Sequence, residues 1–114
     1  MLTLPPQALT QVAEYFKVLS EVSRLQVLSC LRSHPKSVTE IVETTGLGQA
    51  NVSKHLKVLM QAGMVARHPK GVSVFYEISD PIIFELCEVV CDRISTRLLT
   101  QAQQLEQFKS GAKG

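Results

Sequence analysis

The sequence predicts a mainly α fold carrying one small β-hairpin, in the order α-α-α-α-β-β-α. Three observations lead there. Apolar residues recur at helical spacing through most of the chain, one short stretch alternates with the period of a strand, and Gly, Pro and capping residues divide the segments. With 45% apolar and 19% charged residues over 114 positions, the chain suits one globular domain spanning residues 1–114. It has no Trp and few other aromatics, so the core must rest on Leu, Val and Ile, as packed helices allow.

The first helix, about 7–19, follows Pro5-Pro6 and carries Leu9, Val12, Ala13, Phe16 and Leu19 as one apolar stripe. Ser20 is the expected N-cap of a second helix, on which Leu25, Val27, Leu28 and Leu31 face inward. Pro35 ends it, because the residue before a proline is pushed out of the α region, and Ser37 restarts the chain as an N-cap. A short third helix stops at Gly46, suited to a left-handed turn. The fourth begins near Gln49, buries Val52, Leu56 and Leu59 at i, i+4 and i+7, and terminates at Gly63. Two helices joined by a tight Gly-containing turn form a helix-turn-helix.

Behind it, "MVARHPKGVSVFYEIS" reads as two short strands with a turn at Lys70-Gly71, the position of a wing. Val72, Val74 and Tyr76 alternate there with Ser73, Phe75 and Glu77. Asp80-Pro81 opens the last helix, about 81–109, as N-cap and first-turn residues. Its stripe runs Ile83, Cys87, Val90, Cys91, Ile94, Leu98, Ala102, Leu105 and Phe108, and the closing "SGAKG" is expected to fray. A helix so long and narrowly striped implies a partner, most simply a second copy of this chain.

Function is written most clearly between Thr44 and Tyr76, a stretch without a single Asp or Glu. It carries Lys54, Lys57, Arg67 and Lys70 together with His55 and His68, a local field that attracts phosphate although the net charge is only +2. With Val52, Leu56 and Leu59 turned inward, Gln49, Ser53 and Lys57 lie on the opposite side of the fourth helix, flanked by Asn51 and Lys54. Gln and Asn can pair with adenine in the major groove, Ser with a base or phosphate, and Lys with guanine or phosphate. His55 is expected to touch phosphate. The DNA-reading core, about 37–78, is thus a winged helix-turn-helix, and its expected partner is double-stranded operator DNA. A solvated polar helix face is the bland alternative for this helix taken alone.

The stretch "GLGQANVSKHLKVLMQAGMVARHPKGVSVFYEI" resembles the winged-helix core of the ArsR/SmtB repressors, and "VLSEVSRLQVLSCL" resembles that family's second helix and the turn before it. The resemblance spans roughly residues 8 to 95. It implies a homodimer built on the first and last helices, two recognition helices in successive major grooves, and repression relieved by an inducer. Two positions depart from the common pattern: Gly48 stands where a Ser often caps the recognition helix, and Val22 replaces a frequent Pro.

Members of this family are often metal sensors, and the residues here narrow what can be sensed. "SVTEIVETT" holds no Cys, so the thiolate site of the third helix is not expected; the last helix has carboxylates but no His, so neither is the zinc-type site. Cys30, Cys87 and Cys91 remain. Cys87 and Cys91 are i and i+4 and share a helix face, which suits a soft thiophilic ion; three thiolates would suit arsenite, and the resemblance implies that cysteines of the last helix can serve it. The resemblance adds a redox reading, in which a Cys of the second helix links to one of the last; Cys30 fits that position loosely. Inert core packing is the competing reading, since Cys is among the most buried residue types.

No Gly-rich phosphate loop or catalytic motif supports an enzyme. A dimeric helical adaptor is the alternative from another class, but it has no need of an acid-free basic stretch. The N-terminus lacks the basic and apolar regions of a secretory signal, and no apolar run reaches membrane-span length. An odd number of Cys without such a signal points to a reducing, cytoplasmic setting.

Overall fold

The computed structural model describes residues 3–113. Seven elements follow one another: α1 (Pro6–Val18), α2 (Val22–Leu31), α3 (Val38–Thr45), α4 (Gln49–Gln61), β1 (Val65–Lys70), β2 (Ser73–Ile78) and α5 (Ile82–Lys113). They fall into two compact units, Met1–Asp80 and Pro81–Gly114.

In the first unit α1 starts as the Pro pair dictates, with Pro6 in the first turn, where no amide hydrogen is needed. The expectation for Ser20 is corrected. Its hydroxyl donates to the Lys17 carbonyl at 2.7 Å and so closes α1, while Glu21, in extended conformation, precedes α2 as the N-cap without a side-chain cap bond. Leu25 also differs: it is 37% exposed, and Val27, Leu28, Cys30 and Leu31 form the buried face of α2.

Ser37 opens α3 with a capping box. Its hydroxyl accepts from the Glu40 amide at 3.2 Å, and the Glu40 carboxylate accepts from the Ser37 amide at 3.1 Å. Those hydrogen bonds, backbone first, hold the Glu40 carboxyl below its ordinary value. Because the depressed group is the native one, its contribution is present above the unfolded carboxylate range and fades as pH falls through the folded value. Ser37→Ala removes the bond from the Glu40 amide to the cap hydroxyl and is expected to cost about 1 kcal/mol, as is usual for a lost N-cap. Urea unfolding of wild type and Glu40→Gln should differ near neutrality and converge as pH falls and Glu40 protonates.

Gly46, at φ 75°, turns the chain from α3 into α4. The far end of α4 closes with Gly63, again at φ 75°, whose amide donates to Met60 while the Met64 amide donates to the Leu59 carbonyl, a Schellman arrangement. Val52, Leu56 and Leu59 of α4 are buried as expected and join Val27, Leu28, Leu31, Ile41, Met64 and Val65 in one core. The strands pair antiparallel from Val65↔Ile78 to Lys70↔Ser73. Val72 lies in the two-residue turn rather than in β2, and the strand is half-buried from Val74 to Ile78 without a one-sided alternation. Lys36 and Tyr76 exchange backbone hydrogen bonds of 3.0 and 2.8 Å, which tie the segment after α2 to the hairpin.

The second unit is α5 alone. Its 32 residues run past the expected end, and Ser110 and Gly111 are helical rather than frayed. Ile83 is buried, while every residue from Glu88 to Gly111 is exposed.

Candidate nucleic-acid interface

The local sequence of α4 decides which side chains can meet a ligand. Burial of Val52, Leu56 and Leu59 leaves Gln49, Asn51, Ser53, Lys54 and Lys57 exposed, and four of these five crowd the first two turns. No side chain caps α4, because its N-cap is Gly48. In the hairpin Arg67 and Lys70 are exposed, Arg67 opposite Tyr76 and Lys70 opposite Ser73. Gly71, at φ 63°, supplies the left-handed residue that a two-residue hairpin loop requires, and it leaves Val72 wholly exposed at the tip. His68 pairs across the strands with Glu77, Nε2 to Oε1 at 2.5 Å, so the wing's imidazole is engaged by a carboxylate.

One expected DNA contact is overturned. His55 is only 4% exposed and lies among the core residues of α4, out of reach of phosphate. It follows Val52 by three positions and precedes Leu59 by four, so its place on the inward face was readable from spacing. Its Nε2 stands 3.8 Å from the Glu21 carboxylate, and its Nδ1 is buried without a hydrogen-bond partner. Glu21, Arg24 and Lys36 were not singled out in the sequence, yet all three take part in polar contacts that hold the unit together. The buried Lys36 ammonium donates to the Cys30 carbonyl and to Ser33 Oγ.

The three cysteines are free and differ in setting: Cys30 is buried, Cys87 half-buried and Cys91 exposed. Among the described residues no group of three or more His, Cys, Asp or Glu is placed to hold a metal ion. No described helix is long and apolar enough to cross a membrane.

Comparison with known proteins follows this geometry closely. The family model described as bacterial regulatory protein, arsR family, matches residues 21–67, the segment from the start of α2 into β1. The uncharacterized HTH-type transcriptional regulator Rv0081 of Mycobacterium tuberculosis is 34% identical over 100 residues, covering 87% of this chain and 88% of the relative. The chain belongs to the arsR family. The crystal structure of Rv0081 superposes with a TM-score of 0.69, over 87% of this chain and 97% of that one. NmtR of the same organism, an HTH-type transcriptional regulator, is 36% identical over 75% of this chain and 71% of its own length. A solution structure from Mycobacterium bovis, Mb0332, is described as a homodimeric winged helix-turn-helix DNA-binding domain; it is 30% identical, with a TM-score of 0.69 over 81% of this chain and 91% of that one. As an arsR-family protein the chain is a DNA-binding transcriptional regulator with a winged helix-turn-helix fold, in a family of regulators rather than enzymes.

Proposed function

We propose that this arsR-family protein is a homodimeric repressor whose α4 reads operator DNA in the major groove and whose hairpin contacts the flanking backbone. The observation that carries the reading is the exposed face of α4, five polar or cationic side chains inside an acid-free segment and backed by a buried apolar face. Gln49, Asn51 and Ser53 are the base-reading residues, and Lys54, Lys57, Arg67 and Lys70 meet phosphate. The dimer forms through α1 and α5. Leu9, Val12 and Phe16 of α1 and Val90, Ile94, Leu98, Leu105 and Phe108 of α5 are each at least 41% exposed, far too much apolar surface for a helix that works alone.

Two classes of substitution test the assignment. Lys54→Ala and Lys70→Ala should each weaken binding to every sequence by a similar factor and lower the dependence on salt by about one counterion. Gln49→Ala or Ser53→Ala should shift the preferred sequence instead, costing about 1–3 kcal/mol per lost base contact. The measurement is affinity for duplexes that the wild type selects from a random pool, against scrambled duplexes, over a range of salt. Unchanged affinity and preference in both Gln49→Ala and Ser53→Ala would remove α4 from the base-reading role.

Release of DNA is assigned to a thiol-directed inducer at Cys87 and Cys91. The two sulfurs lie i and i+4 on α5, outside the buried core, and soft thiolates suit arsenite or another thiophilic ion. The same accessible pair suits reactive sulfur or an oxidant, whereas burial of Cys30 favours core packing for that residue.

A further inference from the structure

His55 presents a physical puzzle. It belongs to the recognition helix, yet it is buried with its Nδ1 unpartnered, an arrangement that costs desolvation free energy a leucine at the same position would not. Its other ring nitrogen faces the Glu21 carboxylate at 3.8 Å, within ion-pair range and beyond a direct hydrogen bond. The same carboxylate receives Arg24 on its other oxygen, Nη1 to Oε2 at 2.7 Å. Arg24 spends its remaining donors on the end of α1: Nε donates to the Val18 carbonyl at 2.6 Å and Nη2 to the Lys17 carbonyl at 3.2 Å. These carbonyls belong to the last turn of α1, and that of Lys17 also accepts from the Ser20 amide and hydroxyl.

A continuous polar connection thus runs from the C-terminus of α1, through Arg24 and Glu21 at the start of α2, to the inward side of α4. We propose that Arg24, Glu21 and His55 are positioning residues that fix the rotation of the recognition helix relative to the end of α1. His55 follows Ser53 by two residues, about 200° of helical turn, so holding the imidazole inward sets the direction in which Ser53 meets a base. Apolar contacts alone allow a helix to roll by small angles, whereas an imidazole facing a carboxylate that Arg24 already anchors is favoured on that side of the helix. None of the three residues touches DNA, and their effect is on discrimination rather than on electrostatic attraction. The inference rests on α4 being the DNA reader.

The test compares wild type with His55→Gln, His55→Leu, Glu21→Ala and the His55→Leu/Glu21→Ala pair. Each is measured at several salt concentrations against a duplex selected by the wild type from a random pool and against a scrambled duplex of equal length. Thermal melts establish that each variant is folded at the assay temperature. His55→Gln keeps a polar group facing Glu21 and should discriminate as wild type does. His55→Leu and Glu21→Ala should each lose about tenfold in preference for the selected duplex, the scale of one misplaced base contact, with scrambled-duplex affinity and salt slope unchanged. The double variant should lose no more than either single one, because both break the same connection. Folded single variants that discriminate like wild type overturn the clamp, and so does a lowered salt slope in His55→Leu, which would mean a phosphate contact. Should His55→Leu fail to fold, Glu21→Ala decides alone, since that side chain is half exposed and makes no cap bond. A wild type that selects no duplex overturns the DNA reading of α4 itself, a result distinct from loss of the clamp alone.

Discussion

A chain ending at Arg97 is expected to sediment as a monomer at micromolar concentration, where the full-length chain sediments as a dimer. The truncation removes Leu98, Leu105 and Phe108, which are 58%, 52% and 75% exposed in the single chain and have no other cover. Each apolar side chain buried at an interface contributes about 1.5–3 kcal/mol, and a two-fold pairing counts every one of them twice. Losing that sum exceeds what separates a micromolar dimer from a millimolar one, about 4 kcal/mol. DNA binding should fall with it, since two recognition helices act together only when one dimer holds both. A truncated protein that remains wholly dimeric in sedimentation would take the second half of α5 out of the interface.

Replacing Cys87 or Cys91 with Ser is expected to leave affinity for the selected duplex intact and to abolish its loss on adding arsenite or a persulfide. In the wild type the inducer should weaken binding by about 5–150-fold, the usual range of coupling between two sites. The reasoning is one of displacement. A ligand that draws two sulfurs of α5 together alters how that helix meets its partner, and the two recognition helices must stay about 34–36 Å apart to match one turn of DNA. The inducer acts only through a higher affinity for the DNA-free arrangement. Cys30→Ser should behave differently: the hydroxyl is buried, so thermal stability falls while the inducer response persists. Wild-type binding that ignores arsenite, persulfide and peroxide alike would show that Cys87 and Cys91 serve packing.

Much of the architecture was legible because glycine and apolar spacing leave few alternatives. Gly46 and Gly63 stand at left-handed turns that bound α4, and Val52, Leu56 and Leu59 face the core as their spacing requires. Ser37 caps α3 as its place after Pro35 suggested, and the structure adds the capping box with Glu40. What escaped were polar residues whose role depends on tertiary partners. Ser20 is the favoured cap locally, but its hydroxyl bonds the Lys17 carbonyl and Glu21 takes the cap position without a side-chain bond. His55 was assigned to phosphate by its chemistry although its position placed it inward. Lys36 is 8% exposed, which no propensity scale would suggest for a lysine beside a proline, because its partners are backbone and hydroxyl oxygens brought in by the fold. The extra turn of α5 through Ser110 and Gly111 runs against local propensity as well.

Lys36 also determines how the first unit comes apart. Its backbone is bonded on both sides to Tyr76, and its ammonium reaches back to the Cys30 carbonyl, so one residue fastens the hairpin and the end of α2 together. The wing consequently cannot swing away as an independent flap. Lifting it breaks two backbone hydrogen bonds at once, a restraint that a two-stranded ribbon with only half-buried side chains does not have unaided. Opening of the wing is then resisted by the segment that follows α2, and amide exchange at Tyr76 is expected to be slower than at the tip of the hairpin.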